Sequence, residues 1–305
     1  MGSGASKPNT SGGVLNSTYS VELSTEFNIA NYSVNPTSYK KTALVIGINY
    51  TNTNINSLRG CVNDSLNVKK LLDSFGYDVT IMNDHQQGSL YPSRVNILAQ
   101  INSHISSLST GDVFILYYSG HGTRVTDLNG DEISGLDSVI VPIDGNSIVD
   151  DTIRTIFNTA VEGSKIFAVF DSCNSGSVCD LRYNYFDTSY RSNPADKLAD
   201  NLITRTPTIT NTKYTDTQPN IISLSGCRDN EFSSESVSDR GIFCGALTYC
   251  ILKYIYEQTP NNTVAAFLQY VRNLLKRNGF SQNPSLMSGK LLDPAGLTLA
   301  QYFNI

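Results

Sequence analysis

One cysteine and one histidine are candidates for nucleophilic chemistry, because each stands a few residues after an apolar, β-prone run. His121 lies in the motif YYSGHGT at residues 117–123, which continues the run VFILYY. Cys173 lies in the motif DSCNSGS at residues 171–177, after the run KIFAVF. The carboxyl ends of parallel strands share one edge of a sheet, and ligands bind at that edge. The sequence therefore predicts that a thiol and an imidazole meet there.

The sequence around the other histidines, His85 and His104, indicates no catalytic role. His104 stands beside Ile105 in a stretch with helical apolar spacing, which indicates a structural side chain. His85 stands in a polar loop, which indicates a solvated one. For Cys173 the alternative is a buried, inert thiol, which is the commonest state of cysteine. Its small, polar neighbours and its position at the end of a strand argue against that alternative.

A cysteine–histidine pair of this kind would hydrolyse an amide through a covalent intermediate. The thiolate is the reactive form of cysteine, and a nearby imidazole favours it or removes the proton during attack. The resulting imidazolium can protonate the leaving amine. Backbone N–H groups near Gly122 and Cys173 are the candidates for stabilising the oxyanion.

The segments that must position this pair alternate between strands and helices. Continuous apolar, β-prone runs predict strands at residues 42–48, 78–82, 112–118, 138–141, 165–170 and 221–225. Helical apolar spacing predicts helices at residues 62–75, 93–108, 150–161, 241–257 and 264–276. This alternation predicts an α/β fold with a mainly parallel central sheet, flanked by helices on both faces.

The chain divides into an extension and one domain. Residues 1–38 are rich in Gly, Ser, Asn and Thr and predict a flexible N-terminal extension. Residues 39–305 predict a single domain, in which the polar, proline-containing segment 181–220 forms a long loop.

Composition and charge exclude several classes of function. The net charge of −5 and the lack of a Lys/Arg cluster argue against a nucleic-acid partner. Six cysteines without a CxxC pair argue against zinc and against a disulfide framework, and they indicate a reducing, cytoplasmic location. Gly2 with Ser6 fits the myristoylation pattern, although a plain Gly/Ser tail is the alternative. One acyl chain would give only a weak membrane tether.

The cysteine and histidine motifs together resemble those of the metacaspases, which are relatives of the caspases. Further matches follow in the family's order: LRGCVND at residues 58–64, NGDEISGLD at 129–137, IVDD at 148–151 and SGCRDN at 225–230. They cover roughly residues 40 to 290. The resemblance implies a caspase-like fold for the domain and cysteine endopeptidase activity.

The resemblance also implies cleavage of protein or peptide substrates after Arg or Lys. By the same matching, Cys61, Asp64, Ser119 and Asp171 form the specificity pocket. Two carboxylates beside the catalytic pair would receive a guanidinium or ammonium group through charge-assisted hydrogen bonds. The alternative for Asp64 is a carboxylate that merely begins a helix.

An activating calcium ion is a further implication of the resemblance. The matching carboxylates are Asp137, Asp150, Asp151 and Asp180. Calcium takes about six to eight oxygen ligands, which four aspartates with carbonyls or water would supply. The alternative is that Asp150 and Asp151 only open a helix.

Some positions depart from the family pattern. Asn174 stands where the family usually has His, and Glu231 stands where it often has Gln; Cys227 matches a second family cysteine. Asn174 keeps an alternative open, which is a catalytically weak regulatory scaffold or binding protein. The family resemblance implies a monomer.

Basic residues near the catalytic motifs are candidate sites of self-processing, and the alternative is that they only make a loop soluble. They are Arg182, Arg191, Lys197, Arg205 and Lys213 in the predicted long loop, and Lys40 and Lys41 at the end of the extension.

Overall fold

The computed structural model describes most of the predicted domain. The described residues are 38–130, 135–173, 178–185, 207–209, 214–226, 235–237, 243–258 and 261–303. Almost all of the predicted extension, with Gly2, lies outside them, as does most of the predicted long loop. The predictions for those segments therefore stay predictions.

Thirteen strands are assigned within the described residues. Their bounds are β1 Lys41–Gly47, β2 Asp78–Asn83, β3 Val113–Ser119, β4 Gly122–Thr126, β5 Leu136–Ile140, β6 Ile148–Val149, β7 Lys165–Asp171, β8 Tyr183–Asn184, β9 Thr208–Ile209, β10 Asn220–Ser225, β11 Glu235–Val237, β12 Phe243–Gly245 and β13 Ser285–Ser288. Eight of them form the central sheet, in the order β2-β1-β3-β7-β10-β13-β8-β9. The five from β2 to β10 are parallel, and the remaining pairings are antiparallel.

Helices cover both faces of this sheet. Their bounds are α1 Cys61–Ser74, α2 Arg94–Ser106, α3 Asp150–Phe157, α4 Ala246–Glu257, α5 Val264–Arg277 and α6 Leu299–Phe303. One apolar cluster joins α1, α4, α5 and α6 to the first face, and a second joins α2 and α3 to the other. Because β3 is buried on both faces, its sequence is a continuous apolar run rather than an alternating one. The predicted α/β architecture is confirmed.

Helix α2 begins where the sequence predicts. The Ser93 side chain accepts a hydrogen bond from the Asn96 N–H, which satisfies one of the donors left over at a helix N-terminus. The apolar side of the helix buries Ile97, Ile101 and Ile105 against the sheet. Among the described residues, no helix is both long and apolar enough to cross a membrane.

The structure differs from the predicted long loop at both ends of segment 181–220. Strands β8 and β9 extend the central sheet there, and Leu181, Tyr185 and Tyr214 are buried. Each of these strands is only two residues long, so no alternating pattern in the sequence could reveal it. Strand β8 is held by pairing with β13, an antiparallel strand that the sequence pattern also did not predict, and β9 is held by pairing with β8.

Candidate active site

The register of the central strands brings the cysteine and histidine segments to one edge. Ser119 at the end of β3 is aligned with Asp171 at the end of β7. His121 and Cys173 each follow two residues later on these neighbouring parallel strands. A Cβ on Gly122 would lie 2.2 Å from the Cys173 carbonyl oxygen, so the two segments are in direct contact. The meeting of the segments at one sheet edge, predicted from the sequence, is what the structure has.

The imidazole of His121 is oriented by a backbone carbonyl. Its Nε2 lies 2.6 Å from the carbonyl oxygen of Asn56. A carbonyl oxygen only accepts hydrogen bonds, so Nε2 carries the proton in this contact. The other ring nitrogen, Nδ1, is then the one left to exchange a proton with a nucleophile. Sequence reasoning missed Asn56 because any residue type can supply a carbonyl.

Two carboxylates are buried beside this edge. Asp64 is 1% exposed and Asp171 is 5% exposed. A Cβ on Gly245 would lie 2.2 Å from Asp171 Oδ2 and 3.1 Å from Asp64 Oδ2. The two carboxylates therefore flank Gly245, which has no side chain to fill the space between them.

Hydrogen bonds hold one oxygen atom of Asp64 in place. Its Oδ2 accepts the Gly245 N–H at 2.8 Å and the Ser119 hydroxyl at 3.4 Å. Asp64 does lie in the first turn of α1, as the helix-start alternative supposed. Cys61 is the first residue of the same helix and is also buried. The Asp64 carboxylate nevertheless binds residues far away in the chain. The predicted pocket residues Cys61, Asp64, Ser119 and Asp171 thus come together.

Asp171 is held by a chain of hydroxyl groups. Its Oδ2 accepts the Thr248 N–H at 2.9 Å and the Thr248 hydroxyl at 2.7 Å. Because the Thr248 hydroxyl has one proton and gives it to Asp171, the Tyr117 hydroxyl donates to Thr248 Oγ1 across 2.6 Å. Burial, with the charges of Asp64 and Asp171, raises the pKa of Tyr117, so its hydroxyl stays a donor. These bonds fix the position of Asp171 Oδ2 beside Asp64.

A second acidic cluster lies in the three-stranded sheet β4-β5-β6 and at the start of α3, which follows β6. Asp137, Asp150 and Asp151 each offer an oxygen within 4.8 Å of the others. Asp150 is fully buried and Asp137 is 6% exposed. Three clustered carboxylates repel one another, and hard oxygen ligands of this kind fit calcium.

Asp180, the fourth predicted ligand, is not part of that group of three. Burial raises the pKa of the Cys179 thiol, and the charges of Asp180 and Asp150 raise it further. Both carboxylates therefore influence one thiol, although Asp180 does not lie within 4.8 Å of all three of the other aspartates. The helix-start alternative also has support, because Asp150 Oδ1 accepts the Asp151 N–H at 2.9 Å.

The remaining candidates behave as predicted where the structure describes them. His104 stacks on Phe114 with ring centroids 5.0 Å apart, and its Nε2 lies 3.2 Å from the Thr80 hydroxyl. His85 is exposed. The departures at Asn174, Cys227 and Glu231 lie outside the described residues.

The chain is similar in sequence to one family of known proteins and in fold to several solved structures. The family described as "Metacaspase, peptidase C14 domain" matches residues 41–182. Metacaspase-1 of Candida albicans is 32% identical over 308 residues, which cover 86% of this chain and 68% of that protein. Metacaspase-1 of Schizosaccharomyces pombe is also 32% identical, covering 83% of this chain and 68% of the relative.

Solved structures show the same fold at lower identity. A protein from Geobacter sulfurreducens matches with a TM-score of 0.59 and 24% identity, over 85% of this chain and 97% of that one. Caspase-1 from Spodoptera frugiperda matches with a TM-score of 0.52 and 12% identity, over 88% of this chain and 91% of that one. With the sequence matches, these similarities make the chain a member of the metacaspase family of caspase-like cysteine peptidases.

Proposed function

We propose that this metacaspase is a calcium-dependent endopeptidase that cleaves proteins or peptides after Arg or Lys, with Cys173 as the nucleophile and His121 as the acid–base residue. The observation that carries the proposal is the pair of buried carboxylates, Asp64 and Asp171, on both sides of Gly245. They stand at the sheet edge that also carries the cysteine and the histidine.

The chemistry follows from the positions of the two groups. The Cys173 thiolate bonds to the scissile carbonyl carbon, and the carbonyl electrons move onto oxygen, where N–H groups at Gly122 and Cys173 would stabilise them. The C–N bond then breaks, and the leaving amine takes the proton from His121 Nδ1. Water gives a proton to His121 and attacks the thioester, which releases the acid and restores the thiol. Asn56 holds the imidazole through Nε2 during these steps.

The pocket would select a cation for electrostatic reasons. Asp64 and Asp171 each have an Oδ2 fixed by protein donors, so the carboxylates are already oriented before a substrate enters. A guanidinium or ammonium group would offset one of two buried negative charges and attract both carboxylates, whereas a substrate carboxylate would add a third negative charge. Preorganised charge of this kind acts strongly because both carboxylates are buried.

A panel of fluorogenic peptides that differ only in the residue before the scissile bond tests this specificity. We expect Arg and Lys peptides to be cleaved at least about 100-fold faster than the citrulline peptide, since citrulline matches the shape of Arg without its charge. The Asp peptide should not be cleaved. Equal turnover of Arg and citrulline peptides would contradict the proposal, and tight binding of the Arg peptide without turnover would favour the scaffold alternative.

Calcium fits the cluster of Asp137, Asp150 and Asp151 in ligand type and charge. A bound divalent cation would offset the repulsion among the three carboxylates and would bridge β5 to the start of α3. Strand β5 pairs with β4, which begins at Gly122, directly after His121. A cation bound at the three aspartates would therefore stabilise, through β5 and β4, the backbone next to His121.

Calcium binding can be measured without relying on activity. We expect Asp150→Asn to weaken calcium binding about tenfold or more in titration calorimetry, since one of the clustered charges is lost. In chelator the variant should unfold at a lower temperature than the parent, because Asp150 Oδ1 and Oδ2 accept the N–H groups of Asp151 and Ser138 and an amide nitrogen can accept neither. The calcium titrations are therefore run well below that temperature. Asp144→Asn removes an exposed charge from the β5–β6 turn and is the matched control. Equal calcium affinity of all three proteins would rule out this site.

Self-processing is a further part of the proposal. The surroundings of two candidate cleavage residues, Arg182 and Lys41, argue against cleavage there. Arg182 pairs with Asp216 at 3.7 Å and stands between buried Leu181 and strand β8. Lys41 lies within β1, with its Nζ bound to the Phe75 carbonyl. A protease needs its substrate extended and accessible, so neither residue is a favourable site in the folded protein. The other predicted loop sites, Arg191, Lys197, Arg205 and Lys213, lie outside the described residues.

Three predictions made from the sequence are kept as part of the proposal. They are a cytoplasmic location, a monomeric state and a weak membrane tether through a myristoylated Gly2.

A further inference from the structure

Two tyrosine hydroxyls lie between the backbones of His121 and Val141. The His121 N–H donates to Tyr50 Oη at 2.8 Å, and Tyr50 Oη donates to the Val141 carbonyl at 2.6 Å. The Val141 N–H donates to Tyr118 Oη at 3.3 Å, and Tyr118 Oη donates to the His121 carbonyl at 2.8 Å. Tyr118 Oη also lies 3.0 Å from the Val141 carbonyl oxygen. With the Tyr118 proton directed to the nearer His121 carbonyl, each hydroxyl gives one proton and accepts one N–H, and the four bonds form a closed ring.

The Tyr50 side of this ring replaces one of the two direct backbone hydrogen bonds that an antiparallel pair of His121 and Val141 would form. Strands β4 and β5 pair from Gly122 opposite Ile140, so His121 and Val141 would be the next pair. The Val141 N–H also reaches the His121 carbonyl directly, at 3.0 Å. On the other side, the Tyr50 hydroxyl stands between the His121 N–H and the Val141 carbonyl and bridges them. The hydroxyl therefore sets how far His121 stands from β5.

The two tyrosines are held rigidly. Both rings are fully buried, and their hydroxyl oxygens lie 3.1 Å apart. A Cβ on Gly120 would lie 2.6 Å from Tyr118 Oη and 2.9 Å from Tyr50 Oη, so only glycine leaves room for them. Tyr50 has a φ of 60°, a left-handed conformation that costs energy for a residue with a side chain. Burial raises the pKa of both tyrosines, so both hydroxyls keep the protons that they donate.

Tyr50 also contacts the imidazole. Its ring centroid lies 4.6 Å from that of His121, with 33° between the planes. Together with the Asn56 carbonyl, this contact fixes the ring from one face and from Nε2. The backbone ring and the ring contact thus constrain His121 at separate points, and neither contact involves Asp64 or Asp171.

We propose that Tyr50 and Tyr118 are positioning residues for His121, and that their hydroxyls hold its imidazole at the distance that proton exchange with Cys173 requires. This inference rests on the proposed role of His121. Without the Tyr50 hydroxyl, the His121 N–H and the Val141 carbonyl would close directly into a strand pair and would draw His121 away from its place. Without the Tyr118 hydroxyl, the His121 carbonyl keeps the direct Val141 N–H bond but loses its second donor, and the Tyr50 hydroxyl loses the neighbour that holds it in place.

The test uses Tyr50→Phe and Tyr118→Phe, which remove only the hydroxyls, and two readouts on the full chain with calcium. With an Arg peptide we expect kcat to fall about tenfold or more in each variant, while KM stays within about twofold, since small displacements of catalytic groups cost rate. We expect iodoacetamide to alkylate Cys173 more slowly at neutral pH, measured by peptide mass mapping, because a displaced imidazole favours the thiolate less.

Tyr302→Phe is the matched control. Its buried hydroxyl also bonds two backbone carbonyls, those of Ile166 and Asn220, but at the opposite edge of the same sheet. It should lower the melting temperature as the other variants do, with kcat and alkylation unchanged. The inference is wrong if Tyr50→Phe and Tyr118→Phe keep both parental rates, or if Tyr302→Phe loses them equally. If the parent cleaves no Arg or Lys peptide, the proposed function fails, and the alkylation rates still decide the positioning role.

Discussion

Replacing Cys173 by Ala is expected to lower kcat/KM for an Arg peptide by at least about a thousandfold. In the proposed mechanism the Cys173 sulfur forms the bond to the substrate, so the variant lacks the nucleophile. His121→Ala should cost a similar factor, because without the imidazole the thiol is neither activated nor able to pass a proton to the leaving amine. Steady-state rates with the fluorogenic Arg peptide measure both losses.

Combining the two changes provides an internal control. Residues that act as one unit show strongly non-additive losses, so the double variant should be no slower than either single variant. If the two losses multiplied instead, Cys173 and His121 would act independently, and the proposed pair would be wrong. His104→Ala removes a histidine that stacks on Phe114 in the core, and it should leave kcat unchanged in the fraction that folds.

Gly245→Ala is expected to lower kcat/KM for Arg and Lys peptides about 100-fold. The added methyl would stand 2.2 Å from Asp171 Oδ2, in the space between the two pocket carboxylates. The glycine has φ −70° and ψ 138°, which alanine adopts without strain, so the effect comes from the filled space. Displacing Asp171 would also break its bonds to Thr248. We expect the loss mainly as a raised KM, with Cys173 alkylated at the parental rate.

Gly289→Ala is the control for this change. Its Cβ would lie equally close to a side-chain oxygen, 2.2 Å from Thr217 Oγ1. That contact is beside the start of β10, where Gly289 pairs with Ile221, at the edge of the sheet away from the pocket. It should destabilise the fold without changing KM. A Gly245→Ala enzyme with parental KM for Arg would show that cations do not bind between Asp64 and Asp171.

The sequence predicted the catalytic edge because the relevant signal is local. Cys173 and His121 each closely follow a continuous apolar run, and the carboxyl ends of neighbouring parallel strands lie at the same edge of the sheet. Asp64 and Asp171 were placed by motifs alone. The structure adds what each carboxylate binds, and it separates Asp180 from the compact group of three aspartates.

The rest of the site depends on contacts between distant segments. Gly245 reaches Asp64 across 181 positions, and Tyr50 reaches His121 across 71. Neither residue stands in a pattern that a periodicity or a spacing can reveal, since a glycine in a short strand and a tyrosine after a strand are both common. The sequence pattern did not predict the two-residue strands β8 and β9 for a similar reason. Pairing with neighbouring strands, and not the β-propensity of their own residues, holds them in the sheet.

Covalent labelling of the full chain tests the central claim most directly. The protein is incubated with calcium and a peptidyl arginyl chloromethyl ketone, and the adduct is located by peptide mass mapping. We predict a single adduct on Cys173, slowed by excess Arg peptide and nearly absent in His121→Ala. An adduct on another cysteine such as Cys227, or labelling of Cys173 that proceeds undiminished in His121→Ala, would contradict the account.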